Sequence, residues 1–200
     1  MERKSNRPYK GVNKEWLELS KSLYGYEGEK GISRKIISVY KTTKDFINLT
    51  FRPYKWIEEN SGLSEEEIIN RVDKYELVAS GIAGSVIAIS TLLAYDKNMY
   101  NKDKLAHMMK GYITALIAGR GYRFMGRKMG WNENNQKFCE SGAATAQGII
   151  WEYKDSITGG IVDPADPVFD VVGGVIKSLI TWYYQRIKIE LLSELLKNRK

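Results

Sequence analysis

The stretch that decides the fold is SEEEIINRVDKYELVASGIAGSVIAISTLLAY, residues 64–95. It opens with a capping box, in which Ser64 and Glu67 bind each other's backbone N–H groups at the start of a helix. Apolar residues at helical spacing follow, so we predict one helix over Glu65–Tyr95. Its second half, Leu77–Tyr95, contains no charged residue. Such a run is either a membrane span or a helix enclosed by protein on all sides.

The rest of the chain also has the periodicity of helices. Ser33 is a candidate N-cap for a helix over Arg34–Phe51, which Pro53 would end. Three long helices are predicted downstream: Lys104–Lys128, Gln136–Lys154 and Val168–Lys197. The predicted fold class is all-α. It is a helical bundle of long helices over residues 64–200, with an N-terminal arm of short helices over residues 1–63.

The composition excludes several classes of site. The 200 residues include one His and one Cys, which excludes an internal disulfide framework, a multi-Cys zinc site and a His-rich metal site. The first residues, MERKSNRP, have no apolar run behind their charges, so we expect no signal peptide. We also expect no cofactor and no metal.

The net charge of +7 is concentrated in one window, residues 97–128. This confinement argues against a nucleic-acid coat, which would spread its charge more widely. Within the window, Arg120, Arg123 and Arg127 form one helical stripe, and Lys128 follows them. These four residues are candidates for binding an anionic partner: lipid headgroups, nucleic-acid phosphates or an acidic subunit. The alternative is a solvated helix face that keeps the protein soluble.

The single histidine belongs to a set of acids spaced at helical intervals. The pairs are Asp103 with His107, Glu152 with Asp155, and Asp166 with Asp170. If the helix ends converge, these residues form one polar cluster. His107, Glu152, Asp155 and Asp170 are then candidates for acid/base catalysis or for a divalent-metal site. The competing interpretation is a structural polar network of Asp103, His107, Glu152, Asp155, Asp166 and Asp170, which satisfies a lone core histidine.

Three motifs in this region resemble those of a known family. The first is Asp103-Lys-Leu-Ala-His107, followed by Gly111-Tyr112. The second is Ser141-Gly-Ala-Ala144, leading into Trp151-Glu-Tyr-Lys-Asp-Ser156. The third is Asp166-Pro-Val-Phe-Asp170, ahead of Gly173-Gly174. Over residues 100–182 the chain resembles the YfiM-like family of small bacterial lipoproteins and, more distantly, the VanZ-like membrane proteins.

That resemblance implies a compact helical bundle in which the motif residues converge, and it implies no particular reaction. The chain departs from the family pattern in two respects. It lacks the lipoprotein signal with its lipidated cysteine, and it adds about a hundred N-terminal residues.

Three functions follow from these observations. We first expect a non-catalytic structural subunit of a large assembly, in a virion or a cell-envelope complex. It would form homo-oligomers or contact other subunits through the N-terminal arm, the basic helix and the amphipathic C-terminal helix. The second alternative is an envelope membrane protein anchored by residues 77–95. The third is a hydrolase that uses the His/carboxylate cluster.

Overall fold

The computed structural model describes residues 29–60, 62–97, 99 and 101–198, with side chains from residue 38. Helices and their connections make up this described part, and no strand occurs in it, which confirms the all-α fold. The helices are α1 Glu29–Phe51, α2 Pro53–Glu59, α3 Glu65–Asp96, α4 Lys102–Met129, a 3-10 turn Glu133–Asn135, α5 Gln136–Thr158 and α6 Asp166–Asn198.

The chain divides into two units, Met1–Trp56 and Ile57–Lys200. In the first unit, α1 begins at Glu29, ahead of the predicted start at Arg34, and it continues through Gly31. A glycine inside a helix costs only about 1 kcal/mol, so it does not have to end one. α1 is therefore longer than the short helices expected here, and Pro53 follows its end as predicted. Much of the predicted arm, residues 1–63, lies outside the described residues, so its role in contacts stays a prediction.

The predicted helix start at Ser64 is confirmed. The Ser64 hydroxyl accepts a hydrogen bond from Glu67 N at 3.3 Å, and Ser64 N donates to Glu67 Oε2 at 2.8 Å. Both halves of the capping box are therefore present. From this cap α3 runs without a break through the apolar stretch to Asp96, as the sequence predicted.

Glycines end the two following helices: Gly130 follows α4 close to its predicted end at Lys128, and Gly159 follows α5 beyond its predicted end at Lys154. Gly130, after α4, has a φ of 68°, and Gly159, after α5, has a φ of 73°. A residue with a Cβ adopts this left-handed conformation only with strain. α5 extends one turn beyond the predicted end at Lys154 because no helix breaker stands before Gly159. α6 then runs from Asp166 to Asn198.

The second unit is a bundle in which α4, α5 and α6 pack against one another, and α3 packs against α4 and α6. Glycines bring the backbones of the helices unusually close. A Cβ added at Gly111 would lie 2.7 Å from Asp170 Cα, and one added at Gly173 would lie 2.7 Å from Tyr112 N. These two glycines therefore set the distance between α4 and α6, and this distance positions the polar residues described next.

Candidate functional site

His107 lies between two aspartates of α6. Its Nδ1 is 3.1 Å from Asp170 Oδ2, and its Nε2 is 3.1 Å from Asp166 Oδ2. Each ring nitrogen of His107 therefore lies at hydrogen-bonding distance from a carboxylate oxygen. Asp170 is fully buried. The helical spacing of Asp166 and Asp170 places both on the face of α6 that meets α4.

Lys104 joins this cluster from one turn earlier on α4. Its ammonium group pairs with Asp163, lies 2.6 Å from Asp166 Oδ1 and lies 3.2 Å from Asp103 Oδ2. The hydrogen bond from Lys104 lowers the pKa of the Asp163 carboxyl below its ordinary value. One lysine thus bridges three carboxylates at this end of the bundle.

Those three acids have the geometry of a cation site. One oxygen of each of Asp103, Asp163 and Asp166 lies within 4.8 Å of the others. Carboxylate oxygens suit a hard divalent cation. The ammonium group of Lys104 is hydrogen-bonded among them, so the protein itself supplies the cation.

The structure brings together four of the six predicted network residues: Asp103, His107, Asp166 and Asp170. Glu152 reaches the cluster indirectly, since its Oε2 accepts a hydrogen bond from Asp163 N at 3.1 Å. Asp155 lies instead beside Gly160, and its backbone oxygen accepts from Gly160 N at 2.9 Å.

Sequence reasoning missed Lys104 and Asp163. Lys104 stands inside the first family-like motif, so its place between Asp103 and His107 was an available signal. Asp163 lies in the loop ahead of Pro164, where helical spacing gives no prediction. These two residues together with Asp103, His107, Asp166 and Asp170 are called the histidine cluster below.

A second polar cluster fills the other half of the bundle, and every long helix of the second unit contributes to it. Lys177 Nζ of α6 lies 3.0 Å from Glu140 Oε1 of α5 and 3.2 Å from Glu76 Oε1 of α3. Arg123 of α4 pairs with the other oxygen of Glu76. Thr181 adds a hydroxyl 2.9 Å from Glu140 Oε1. All four charged side chains are at most 10% exposed.

The cluster continues to the end of the bundle through Asp73. Its carboxylate lies 3.0 Å from Lys188 Nζ and 2.8 Å from Arg127 Nη2. Lys188 also lies 2.8 Å from Glu133 Oε2. Burial acts to raise the pKa of Glu133, but the hydrogen bond and the charge of Lys188 outweigh it and lower that pKa. The acids and bases are equal in number, so the cluster is close to neutral. Its members are Asp73, Glu76, Arg123, Arg127, Glu133, Glu140, Lys177 and Lys188, and we call it the ionic core.

This arrangement divides the predicted basic stripe. Arg123 points into the ionic core, and its side chain is 10% exposed. Arg127 is exposed but pairs with Asp73. Arg120 and Lys128 are exposed, and Lys128 Nζ lies 4.5 Å from the centre of the Phe124 ring. Of the four predicted anion-binding residues, Arg123 is therefore part of the ionic core, where it pairs with Glu76.

Two buried oxygens of this region have no hydrogen-bond partner in the described part of the chain, Glu140 Oε2 and Ser80 Oγ. Both residues line a small cavity of about 10 Å³ between the helices. A volume of that size holds about one water molecule. A single bound water is the simplest way to satisfy these two oxygens.

The outer surface of the bundle is apolar where the interior is charged. On α6, Asp170, Lys177 and Thr181 are buried, whereas Val175 and Leu179 face outward. On α3, the one described helix long and apolar enough to cross a membrane, only 22% of the most apolar 18-residue window is buried. On α4, Ile117 is 67% exposed. The bundle also buries apolar residues such as Ile68, Val72 and Leu191, so its interior is mixed, but a water-soluble bundle would not also expose so many large apolar side chains on one helix after another.

Exposed aromatic rings with cations over them flank the apolar surface. Near the C-terminal end of α3, Lys102 lies over Tyr95. On α5, Lys154 Nζ lies 4.3 Å from the centre of the Trp151 ring. Near the ionic core, Lys128 lies over Phe124 and Arg186 over Trp182. Aromatic residues and snorkelling cations in two belts mark the edges of membrane-embedded surfaces.

Comparison with family models, curated proteins and solved structures finds no match for this chain. The resemblance to the YfiM-like and VanZ-like families stays a prediction.

Proposed function

We propose that this chain is an integral membrane protein that α3 holds in the bilayer, with α4, α5 and α6 packed together with it in one bundle. The observation that carries the proposal is the combination of buried charges with outward apolar faces. Lys177 and Asp170 of α6 and Glu140 of α5 are buried, whereas the outward faces of the bundle carry Val86 of α3, Ile117 of α4 and similar residues. Such a surface is stable against lipid and unfavourable in water.

The dimensions of the apolar surface agree with a bilayer. Leu77–Tyr95 covers about 28 Å at 1.5 Å per residue, and the hydrocarbon core of a bilayer is about 30 Å thick. Charged residues stand directly outside this stretch: Glu76 precedes it, and Asp96 and Lys97 follow it. The start and end of the apolar run therefore coincide with the expected limits of the hydrocarbon.

The internal charges are compatible with this setting because they are paired. A lone charge within a membrane is costly, so ionisable residues in membrane helices face the bundle interior and bind one another. Every charged side chain of the ionic core has an opposite charge within 4 Å. The pairing supports a structural role for these residues.

The resting geometry of the histidine cluster favours the same role. Both ring nitrogens of His107 already face carboxylates, so a substrate would have to displace Asp166 to reach Nε2. The prediction of a hydrolase gains no support from this arrangement and stays untested.

The first expectation, a structural subunit of a large assembly, would cover the same apolar surface with neighbouring subunits. The paired aromatic residues and cations at both edges favour lipid, because such belts match the headgroup region of a bilayer. The predicted assembly contacts through the C-terminal helix and the basic helix also stay untested.

Membrane extraction tests the proposal. We expect the expressed full-length chain to sediment with membranes, to stay there after washing at pH 11 and after urea, and to be released by detergent. A peripheral membrane protein in the same preparation, released by the alkaline wash, is the control. Recovery of the chain as a soluble particle without detergent would contradict the proposal and would favour the assembly.

A further inference from the structure

A groove of about 420 Å³ opens between α3 and α4 beside the ionic core. It lies where the apolar run of α3 begins, and its walls are made by the first half of α3 and the last turns of α4. The lining residues that matter here are Asp73, Lys74, Leu77, Arg120, Phe124 and Arg127.

The groove contains positive charge that the protein does not neutralise. Lys74 and Arg120 are exposed, and neither makes an ion pair in the part of the chain that the structure describes. The one acid of the groove, Asp73, is already engaged, since Arg127 lies 2.8 Å and Lys188 lies 3.0 Å from its oxygens. Two cations are therefore left for an anion from outside.

The same groove also has an apolar wall. Leu77 and Phe124 line it, and both are exposed. Leu77 is the first residue of the uncharged run on α3, so this wall continues directly into the apolar outer surface. A ligand that fits carries an anionic group on a hydrocarbon chain, with the charge placed at the membrane edge.

We propose that this groove binds the phosphate headgroup of an anionic phospholipid, with Arg120 and Lys74 at the phosphate and the acyl chains along Leu77. The inference rests on the proposed membrane embedding. Arginine binds a phosphate through two parallel hydrogen bonds, and lysine adds a point charge. A nucleic acid would use the cations but would leave the adjoining apolar surface exposed to water.

The expected size of the effect follows from the two free charges. A basic residue near an anionic membrane surface contributes about fivefold in affinity. Replacing both Lys74 and Arg120 should therefore weaken binding about 30-fold. A matched control removes the same charge elsewhere: Lys137→Gln with Lys154→Gln, two residues that lie over aromatic rings of α5.

The experiment measures short-chain phosphatidylglycerol binding to the full chain embedded in phosphatidylcholine nanodiscs, by native mass spectrometry. We expect Lys74→Gln/Arg120→Gln to lose about 30-fold in affinity while Lys137→Gln/Lys154→Gln binds like the wild type. Thermal unfolding of both variants in the nanodiscs shows that they remain folded.

Four results would overturn the inference. Equal loss in both variants would mean diffuse attraction of the lipid by the net charge. Binding of glycerol phosphate as tight as that of the lipid would mean a site for a soluble anion. If the stably embedded Lys74→Gln/Arg120→Gln variant binds the lipid as tightly as the wild type does, the groove is not the lipid-binding site. That result would leave the membrane proposal unaffected. A chain that does not enter nanodiscs would overturn both.

Discussion

Replacing Gly173 by alanine should force α4 and α6 apart. The new Cβ would lie 2.7 Å from Tyr112 N and 3.0 Å from Met108 C, where ordinary contact begins at 3.4 Å. The helices must therefore separate by at least about 0.7 Å, the difference between 3.4 and 2.7 Å. Both neighbours are backbone atoms, which no side-chain rotation can move away. Overpacking of this kind costs about 1–3 kcal/mol.

The chain offers a matched control in Gly81, a helical glycine of α3 with nothing within 4 Å of an added Cβ. Alanine is a better helix former than glycine by about 1 kcal/mol, so Gly81→Ala should be neutral or stabilising. In thermal unfolding followed by tryptophan fluorescence in detergent, a change of 1 kcal/mol shifts Tm by about 2–4 °C for a chain of this size. We expect Tm to fall by about 2–12 °C for Gly173→Ala and not to fall for Gly81→Ala. Equal effects of the two substitutions would refute the close contact between α4 and α6.

Three further predictions concern the charged clusters. Lys177→Met should destabilise the protein by about 3–5 kcal/mol, since it leaves a buried carboxylate without its cation. Adding Glu140→Gln should restore most of that loss in a double-mutant cycle of denaturant unfolding, and additive losses would contradict the pairing. Lowering the pH through the depressed pKa of Asp163 should remove the stability that this ionised carboxylate provides at higher pH. The free energy of unfolding of Asp163→Asn should then depend less on pH below about 4 than that of the wild type, and parallel pH profiles of the two proteins would contradict this. Lys104→Gln should leave three carboxylates without their cation and create a site for Mn²⁺, which electron paramagnetic resonance would detect as bound metal that the wild type does not show. Equal Mn²⁺ binding by both proteins would contradict the role of Lys104.

Local signals in the sequence predicted the helices well. The capping box at Ser64, Pro53 and Gly130 each act on the backbone within one turn of the chain, whereas α5 runs past its predicted end at Lys154 to Gly159. Such effects do not depend on the rest of the fold, so they can be predicted from sequence alone. The start of α1 was misplaced because a glycine permits a loop without requiring one.

Part of the histidine cluster was predictable for the same reason. Residues four apart on a helix share a face, which places Asp166 and Asp170 together, and His107 was the one histidine available to them. Spacing gave no means of placing Asp163, which belongs to a loop. Asp155 shares a face of α5 with Glu152, but it lies next to Gly160 at the helix end.

The ionic core could not be predicted from spacing. Lys177 is separated by 101 residues from Glu76 and by 37 from Glu140. Their contact depends on how each helix is rotated about its axis. Sequence periodicity shows which residues share a helix face, but it does not show whether that face points into the bundle or away from it. For α6 the sequence shows apolar residues around Lys177, which suggests an apolar interior, whereas the structure places the lysine inside and Val175 and Leu179 outside. Arg123 was assigned to the surface for the same reason.

The central claim is that the outward apolar faces contact lipid, and spin labelling measures this directly. A single label at Val86→Cys in a Cys139→Ser chain, reconstituted in liposomes, reports collisions with oxygen, which enriches in lipid, and with a water-soluble nickel chelate. Val86 is 60% exposed and lies midway along the uncharged run of α3. We expect high oxygen and low chelate accessibility at this position. High chelate accessibility, or low accessibility to both reagents as in a protein interface, would contradict it.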